Sequence, residues 1–596
     1  MILNTIDWVI LFGFLAISLL IGFWTSRKNK NASEFFAAGG KMPWWLLGVS
    51  MVATTFSTDT PNLVTDIVRQ NGVSGNWAWW AFLLTGMLTV FVYAGLWKKS
   101  GVLTDVEFYE LRYSGKAAKF LRGFRAIYLG LLFNVMIMAS VSLAAIKIGG
   151  VLLGLSPVET VLIAGIITVI YSSLGGLRGV VLTDFLQFFL SLGGAIIAAV
   201  VALNHPKVNG LENLLTHENV VDKLSFFPSF SNPEMWVMLL IIPLLVQWWS
   251  TWYPGAEPGG GGYIAQRMFA AKNADHSIKA VLFFNFAHYA IRPWPWIIVA
   301  LCSIIVFPEL DSFSKAFPAV NSGVATHDMG YPAMLTFIPA GLLGLVVTSL
   351  VAAYMSTIST HLNWGSSYLV NDVYKRFINP DASEKKQVSL GRILTLVLMI
   401  FSMLIALVLE NALQTFEILL QIGAGTGLIY ILRWFWWRVN AISEIVAMIV
   451  SFLVAVYFSF IHTELGFSEL LSWQKLIIGV GITSISWILT TYFSPKTTDK
   501  QLANFLNKVN PGGPGWKKII DRLNSKGLLK NNENKKWKVP TGIVCMIAGS
   551  IGIYSLLFST GLFIYGEILN AIALLLVSIV CTVVIFKFYP KIIAAD

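Results

Sequence analysis

Two short sets of oxygen-bearing residues sit inside runs that are otherwise apolar enough for lipid. One is Ala53-Thr-Thr-Phe-Ser-Thr-Asp-Thr60; the other is Ala353-Tyr-Met-Ser-Thr-Ile-Ser-Thr360, some three hundred residues further on. Hydroxyls and a carboxylate at membrane depth are costly unless they face the protein interior or a pathway. Clusters of hard oxygen ligands are suited to a small hard cation such as sodium. In the second set, residues 353, 356 and 357 share one helical face, so the carbonyl of Ala353 and the hydroxyls of Ser356 and Thr357 converge. In the first, Pro61 cannot donate to a helix ladder and the Ser/Thr hydroxyls compete for backbone groups, which predicts a break near 53–57. A helix broken at that depth exposes carbonyls and helix ends, as ion sites require. A Ser/Thr-rich packing interface is the other reading.

Asp59 has four readings: pairing with a cation on a solute, ligating sodium, carrying a proton, or forming a salt bridge with Arg69 or Arg292. Asp66 reads as a vestibule or capping residue. His288 and Arg292 lie one turn apart on a common face. Arg292 there either clamps a carboxylate or sulfonate or is neutralised by Asp59, Glu417 or Asp184.

The elements that must position these groups are membrane spans. Of the 596 residues, 56% are hydrophobic and only 12% are charged, an all-α polytopic membrane composition. Fifteen runs of about twenty residues qualify, the first at 5–24 and the last at 566–587. The run at 5–24 lacks a basic start and a small-residue cleavage site, and reads as a span rather than a signal peptide. Alternate loops are basic, which places the N-terminus outside and the C-terminus in the cytoplasm of a cell (inner) membrane. The same lysines explain the net charge of +11 without nucleic acid. The three cysteines lack metal or disulfide spacing. The stretch 494–539 holds eleven Lys/Arg against three Asp/Glu. Its Ile519, Ile520, Leu523 and Leu528 among lysines predict an interfacial helix, with 496–538 on anionic lipid head groups. No Walker-type loop is present, which disfavours ATP-driven pumping.

Five segments together resemble the sodium:solute symporter family over about residues 5–493. They are Ser33-Glu-Phe-Phe-Ala-Ala-Gly-Gly40, Tyr171-Ser-Ser-Leu-Gly-Gly-Leu-Arg-Gly-Val-Val-Leu-Thr-Asp184 with Gln187, Gln266-Arg-Met-Phe-Ala-Ala-Lys272, Ala352 to Asn363, and Asn371 to Arg376. The resemblance implies two inverted five-helix repeats plus peripheral helices and no covalent chemistry. The division would be 1–42 (first span and loop), 43–203 and 234–434 (the repeats), 440–493 (two peripheral spans), 494–539 (basic linker) and 540–596 (two C-terminal spans). It implies a sodium site from main-chain oxygens of Ala53, Phe56 and Ala353 with the side chains of Ser356 and Thr357. Asp184 would support sodium coupling; from the residues alone a helix N-cap after Gly175-Gly176 is the other reading. No cofactor is implied beyond Na+ as coupling ion.

The substrate side departs from the family pattern. Trp252-Tyr-Pro-Gly-Ala-Glu-Pro-Gly-Gly-Gly-Gly262 is longer than expected before the Gln266-Arg267 pair, with Tyr253 or Trp252 left as inner gate. His288 falls where sugar-transporting relatives hold a substrate-facing lysine. Glu417 and Gln421 lie near polar substrate ligands of relatives, and His361 reads as a packed histidine. Trp77, Trp79 and Trp80 are vestibule candidates, with Trp80 assigned to the pocket. These expectations define a sodium-coupled symporter for a small polar solute, a sugar or polyol before a carboxylate or amino acid. A transporter-fold sensor with a partner protein is the alternative, and a monomer suffices.

Overall fold

The computed structural model describes residues 3–593 apart from 28–30, 230, 232, 252–256, 318–325, 410–422, 424 and 531–536. Tyr253, Glu417 and Gln421 therefore lie outside the described residues. Helices form nearly everything described. Eleven of them are long and apolar enough to cross a membrane, against fifteen expected runs. The expected runs at 158–176 and 180–203 form the 47-residue Pro157–Leu203, bent where Gly176 adopts φ 55° and ψ −166°. The run at 43–68 is two shorter helices, Trp44–Thr54 and Asp59–Asn71. That at 234–253 is a set of short turns over Pro233–Trp249, and much of 414–434 is not described.

At the centre Leu342–Tyr368 packs along Pro157–Leu203. Small residues let the backbones approach: a Cβ on Gly194 would lie 2.0 Å from the Ser349 hydroxyl. The first span, Thr5–Ser26, crosses both helices and holds the central one in place through Asp7. That carboxylate is fully buried and accepts the amides of Gly341 and Gly344 at 2.8 and 2.7 Å. An anion at a helix N-terminus satisfies orphan donors and the macrodipole together, so this buried charge is structural.

The basic linker contradicts one expectation. It forms Asp499–Lys508 and Pro514–Ser525, separated by the Pro511–Gly513 turn. Phe505, Trp516, Ile519 and Leu523 are buried, and the Phe505 ring packs on Phe108 and Trp434. The Trp516 indole donates to the Trp434 carbonyl at 2.8 Å, and the Arg112 guanidinium lies 4.8 Å from the Trp516 ring. Of the apolar face expected on lipid, Ile519 and Leu523 are thus buried in protein and Ile520 is half-buried, whereas Leu528 is exposed along with Lys517 and Lys518. Asp499, outside the spans, is held below the usual carboxylate range, first by the Lys526 hydrogen bond. The last two helices, Val539–Tyr565 and Ile568–Ile593, form a hairpin. It is anchored by Tyr554 donating to the Trp80 carbonyl and Trp294 to the Leu557 carbonyl.

Candidate functional site

The chain unwinds between Thr54 and Asp59, at the expected break displaced by about one residue. The threonines terminate the helix by bonding back to it: Thr54 Oγ1 donates to Ser50 and Thr55 Oγ1 to Val52, both at 2.9 Å. Such back-bonding competes with the ladder, and Pro61 supplies no donor to restart it. Leu342–Tyr368 meets this break. Thr357 Oγ1 donates to the Thr54 carbonyl at 2.7 Å and lies 3.2 Å from that of Ala353. Ser356 Oγ donates to Asp184 Oδ1 at 2.6 Å, while Ser50 Oγ donates to Asp184 Oδ2 at 2.5 Å. Phe56, in the unwound link, turns its N–H to the Ala53 carbonyl at 3.0 Å and packs its ring on Trp296.

Ala53, Ala353, Ser356, Thr357 and Asp184 are therefore gathered at one three-helix junction. Its oxygens suit a hard cation for a specific reason. The protons of Ser356 and Thr357 are committed to Asp184 and Thr54, so the hydroxyl lone pairs remain to ligate. The C-terminal end of Trp44–Thr54 adds the negative pole of its dipole.

Asp184 is not a helix N-cap. It lies eight residues past the Gly176 bend inside the helix, fully buried. Arg267 stands 3.6 Å from its Oδ2 and donates to Thr360 Oγ1 at 2.7 Å. This links the Gln266-Arg267 segment to the same junction.

From Thr54 and Thr357 a cavity of about 170 Å³ extends past Asp59 and Arg292 to Asp66, Lys147 and Asp328. Among the described residues the Arg292 fork is taken up by neutral groups and not by a carboxylate. Nη1 donates to the Thr55 carbonyl, and its distance to Thr55 Oγ1 is 3.1 Å; Nη2 meets His288 Nε2 at 2.9 Å. Among the described residues no acidic group forms an ion pair with Arg292, and no basic group forms one with Asp59. The expected Asp59–Arg69 bridge is also not formed: Arg69 donates to the carbonyls of Ser303 and Phe307. His288 reaches the cavity, its Nδ1 3.1 Å from Thr55 Oγ1. A π turn at Ala287–Ile291, ahead of Pro293, brings it there; such turns recur at functional sites. His361 is buried 2.6 Å from Asn134 Oδ1, a packed histidine that also borders the cavity.

Trp80 does not line the cavity. It is buried against Trp77 and Phe558, facing the C-terminal hairpin, and Trp79 takes the cavity position. The sequence reading also missed Ser57, Asn62, Tyr263 and Tyr289, and the buried Lys147–Asp328 pair at 2.7 Å. A lone lysine in the apolar Asn134–Leu153 was a visible signal. So was Asn62, three residues after Asp59 on the same helix.

The sequence matches the model of the sodium:solute symporter family over residues 35–451. The chain belongs to the sodium:solute symporter family. It is 25% identical to a sodium/glucose cotransporter of Vibrio parahaemolyticus, covering 81% of this chain and 91% of the relative. It is 26% identical to a sodium/sialic acid symporter of Proteus mirabilis, covering 78% and 91% respectively. A solved structure of a Na+-coupled sialic acid symporter in a substrate-bound outward-open state shares the fold. Its TM-score is 0.65 at 23% identity, over 83% of this chain and 99% of that one. The family member described here is thus a multi-pass sodium-coupled transporter with inverted repeats, not an enzyme, and sodium is its coupling ion.

The junction predicts the behaviour of Asp184→Asn. The amide keeps one acceptor oxygen but cannot accept both serine protons, and Arg267 loses its counter-charge. A hydrogen bond to a charged group contributes about 1.5–3 kcal/mol, so half-maximal sodium should rise roughly ten- to a hundredfold. Sodium activation curves in proteoliposomes check this; a curve matching wild type would return Asp184 to a structural role.

Proposed function

We propose that this symporter imports a neutral, hydroxyl-rich solute, a sugar or polyol, with sodium bound by Ala53, Phe56, Ala353, Ser356 and Thr357. The observation that carries the reading is in the cavity wall. Both polar atoms of Asn62 are buried with no hydrogen-bond partner among the described residues, and Asn62 lines the cavity together with Ser57 and Asp59. Buried polar groups left unpaired are costly, so they call for a ligand carrying both donors and acceptors. A carboxylate one turn from an amide matches adjacent hydroxyls: the acid accepts, the amide donates and accepts. Trp79 stacks on Tyr289 at 5.7 Å, and the two rings give the same cavity an apolar wall for C–H faces. The fork of Arg292 is directed to Thr55 and His288, which disfavours a carboxylate-bearing solute. The glucose-transporting relative agrees with this chemistry.

In this reading the repeats occupy 43–203 and 234–434, the N-terminus is outside and the basic linker is cytoplasmic, with Lys517 and Lys518 toward anionic head groups. Inward sodium movement supplies about 2.3 kcal/mol per charge at 100 mV, before the concentration term.

Sodium-driven counterflow in proteoliposomes tests the solute class with D-glucose, myo-inositol, N-acetylneuraminate and L-proline as probes. A neutral polyhydroxyl probe should exchange, and Asn62→Leu should raise its KM roughly tenfold or more, since a polar pair is lost. Exchange confined to N-acetylneuraminate or L-proline would overturn the reading.

A further inference from the structure

The glycine-rich segment that departs from the family pattern carries a buried acid. Glu257 is 2% exposed and lies between two buried arginines. Its Oε2 accepts from Arg433 Nη2 at 2.8 Å, and its other oxygen pairs with Arg125. The arginines come from separate elements, Gly115–Ile127 and Gly427–Phe435. Arg125 also bonds the Tyr430 hydroxyl, and Arg433 approaches Tyr109 and Glu444 at 3.2 and 3.6 Å.

The segment after Glu257 is pressed onto Val73–Ser100. The Gly259 carbonyl accepts from the Trp97 indole at 2.7 Å, and the Gly262 amide donates to Asp105 Oδ2 at 2.9 Å. Gly259 and Gly260 both have φ 88°, and a Cβ on Gly259 would lie 3.0 Å from the Tyr93 ring, so only glycine fits this close approach. Directly after comes Gly262–Ala270. Tyr263 on that helix borders the solute cavity, and Arg267 reaches Asp184. Glu257 itself does not border the cavity.

We propose that Glu257, held between Arg125 and Arg433, is the latch that keeps the cavity closed on the side of the glycine segment. It parts when sodium and solute leave on that side. The inference rests on sodium-coupled transport, not on which solute is carried. A buried ion cluster suits a latch better than apolar packing does. Its attraction is largely offset by desolvation, so when the path opens and water enters, hydration replaces the lost pairs at small net cost. An apolar plug of the same area would expose its surface to that water with no such replacement. Glu257 is thus a positioning residue: it acts on the helix bearing Tyr263 and Arg267 without touching solute.

Amide hydrogen exchange on the full-length protein in nanodiscs, in NaCl or choline chloride, tests the latch. Glu257→Gln should exchange about tenfold faster over 257–270 and 427–435 only, with Leu342–Tyr368 retaining its wild-type sodium-dependent protection. Sodium efflux from proteoliposomes without solute should rise several-fold in parallel. Wild-type exchange and efflux would overturn the proposal. If Glu257→Gln does not fold, Glu257→Asp replaces it; its carboxylate is one methylene shorter and cannot span both arginines. Faster exchange spread evenly along the chain, or loss of that variant too, would mark the cluster as purely structural and also overturn the proposal.

Discussion

Replacing Ser356 and Thr357 together with alanine should abolish sodium-stimulated uptake while leaving the protein in the membrane at near wild-type levels. The two hydroxyls are joined to the far side of the junction by single hydrogen bonds, to Asp184 Oδ1 at 2.6 Å and to the Thr54 carbonyl at 2.7 Å. Removing them takes away two of the proposed ion ligands and one of the donors that hold Asp184 in place. The lost charged hydrogen bond alone is of order 1.5–3 kcal/mol; with the ligands gone as well, half-maximal sodium should rise by roughly a hundredfold or more. The helix itself should hold, because its N-terminus is capped by Asp7 and its packing on Pro157–Leu203 runs through small residues such as Gly194 against Ser349. Ser367→Ala is the matched control: its hydroxyl is equally buried but bonds only its own helix, at the Trp364 carbonyl 2.7 Å away. The measurement is initial uptake against sodium concentration in proteoliposomes. A double variant with unchanged sodium dependence would remove the ion site from this junction.

The hydroxyl-lined junction was legible in the sequence because its signal is local and its cost is high. Hydroxyls in an apolar run need a reason, and Pro61 with its neighbouring threonines dictates a break wherever the rest of the chain lies. The family resemblance then paired the two clusters across three hundred residues. The solute cavity was less legible. Which of Trp77, Trp79 and Trp80 faces inward depends on the four-residue helix Trp77–Trp80 and the turns on either side. No periodicity can be read over so short a stretch, and the wrong tryptophan was assigned. The linker failed for another reason. Its amphipathic pattern was real, but amphipathicity does not say whether the apolar face meets lipid or protein, and here Ile519 and Leu523 are buried in protein. Glu257 was visible only as an acid in an unusually long glycine segment. Its partners lie well over a hundred residues away on either side, at Arg125 and Arg433, and neither arginine stands out in its own helix. Arg292 shows the same limit in milder form: its position beside His288 followed from helical spacing, but its acceptor, a carbonyl freed by the break at Thr55, did not.

That acceptor gives Arg292→Lys a distinctive expected result: the sodium requirement and the solute KM should rise together, each by roughly tenfold. The guanidinium spans the unwound link, with Nη1 on the Thr55 carbonyl and hydroxyl, Nη2 on the His288 ring and Nε 3.3 Å from the His288 carbonyl. Its plane also lies over Phe56 and Trp296, at 5.7 and 5.1 Å from the ring centroids. A lysine ammonium is a point charge that cannot reproduce a planar fork and stacks less well, so it can keep one of these partners and must release the others. A released buried carbonyl at Thr55 costs about 1–3 kcal/mol, and the link will shift to satisfy it. Ala53 and Phe56, the proposed carbonyl ligands of sodium, lie within two residues of Thr55 on one side or the other, and Ser57 and Asp59, which line the cavity, follow directly. One displacement therefore perturbs both sites. A solute clamp makes the opposite prediction, a raised solute KM with sodium activation unchanged. Uptake measured over a grid of sodium and solute concentrations separates the two. A solute-only effect accompanied by competition from N-acetylneuraminate would make Arg292 the anion clamp and the transported solute an acid.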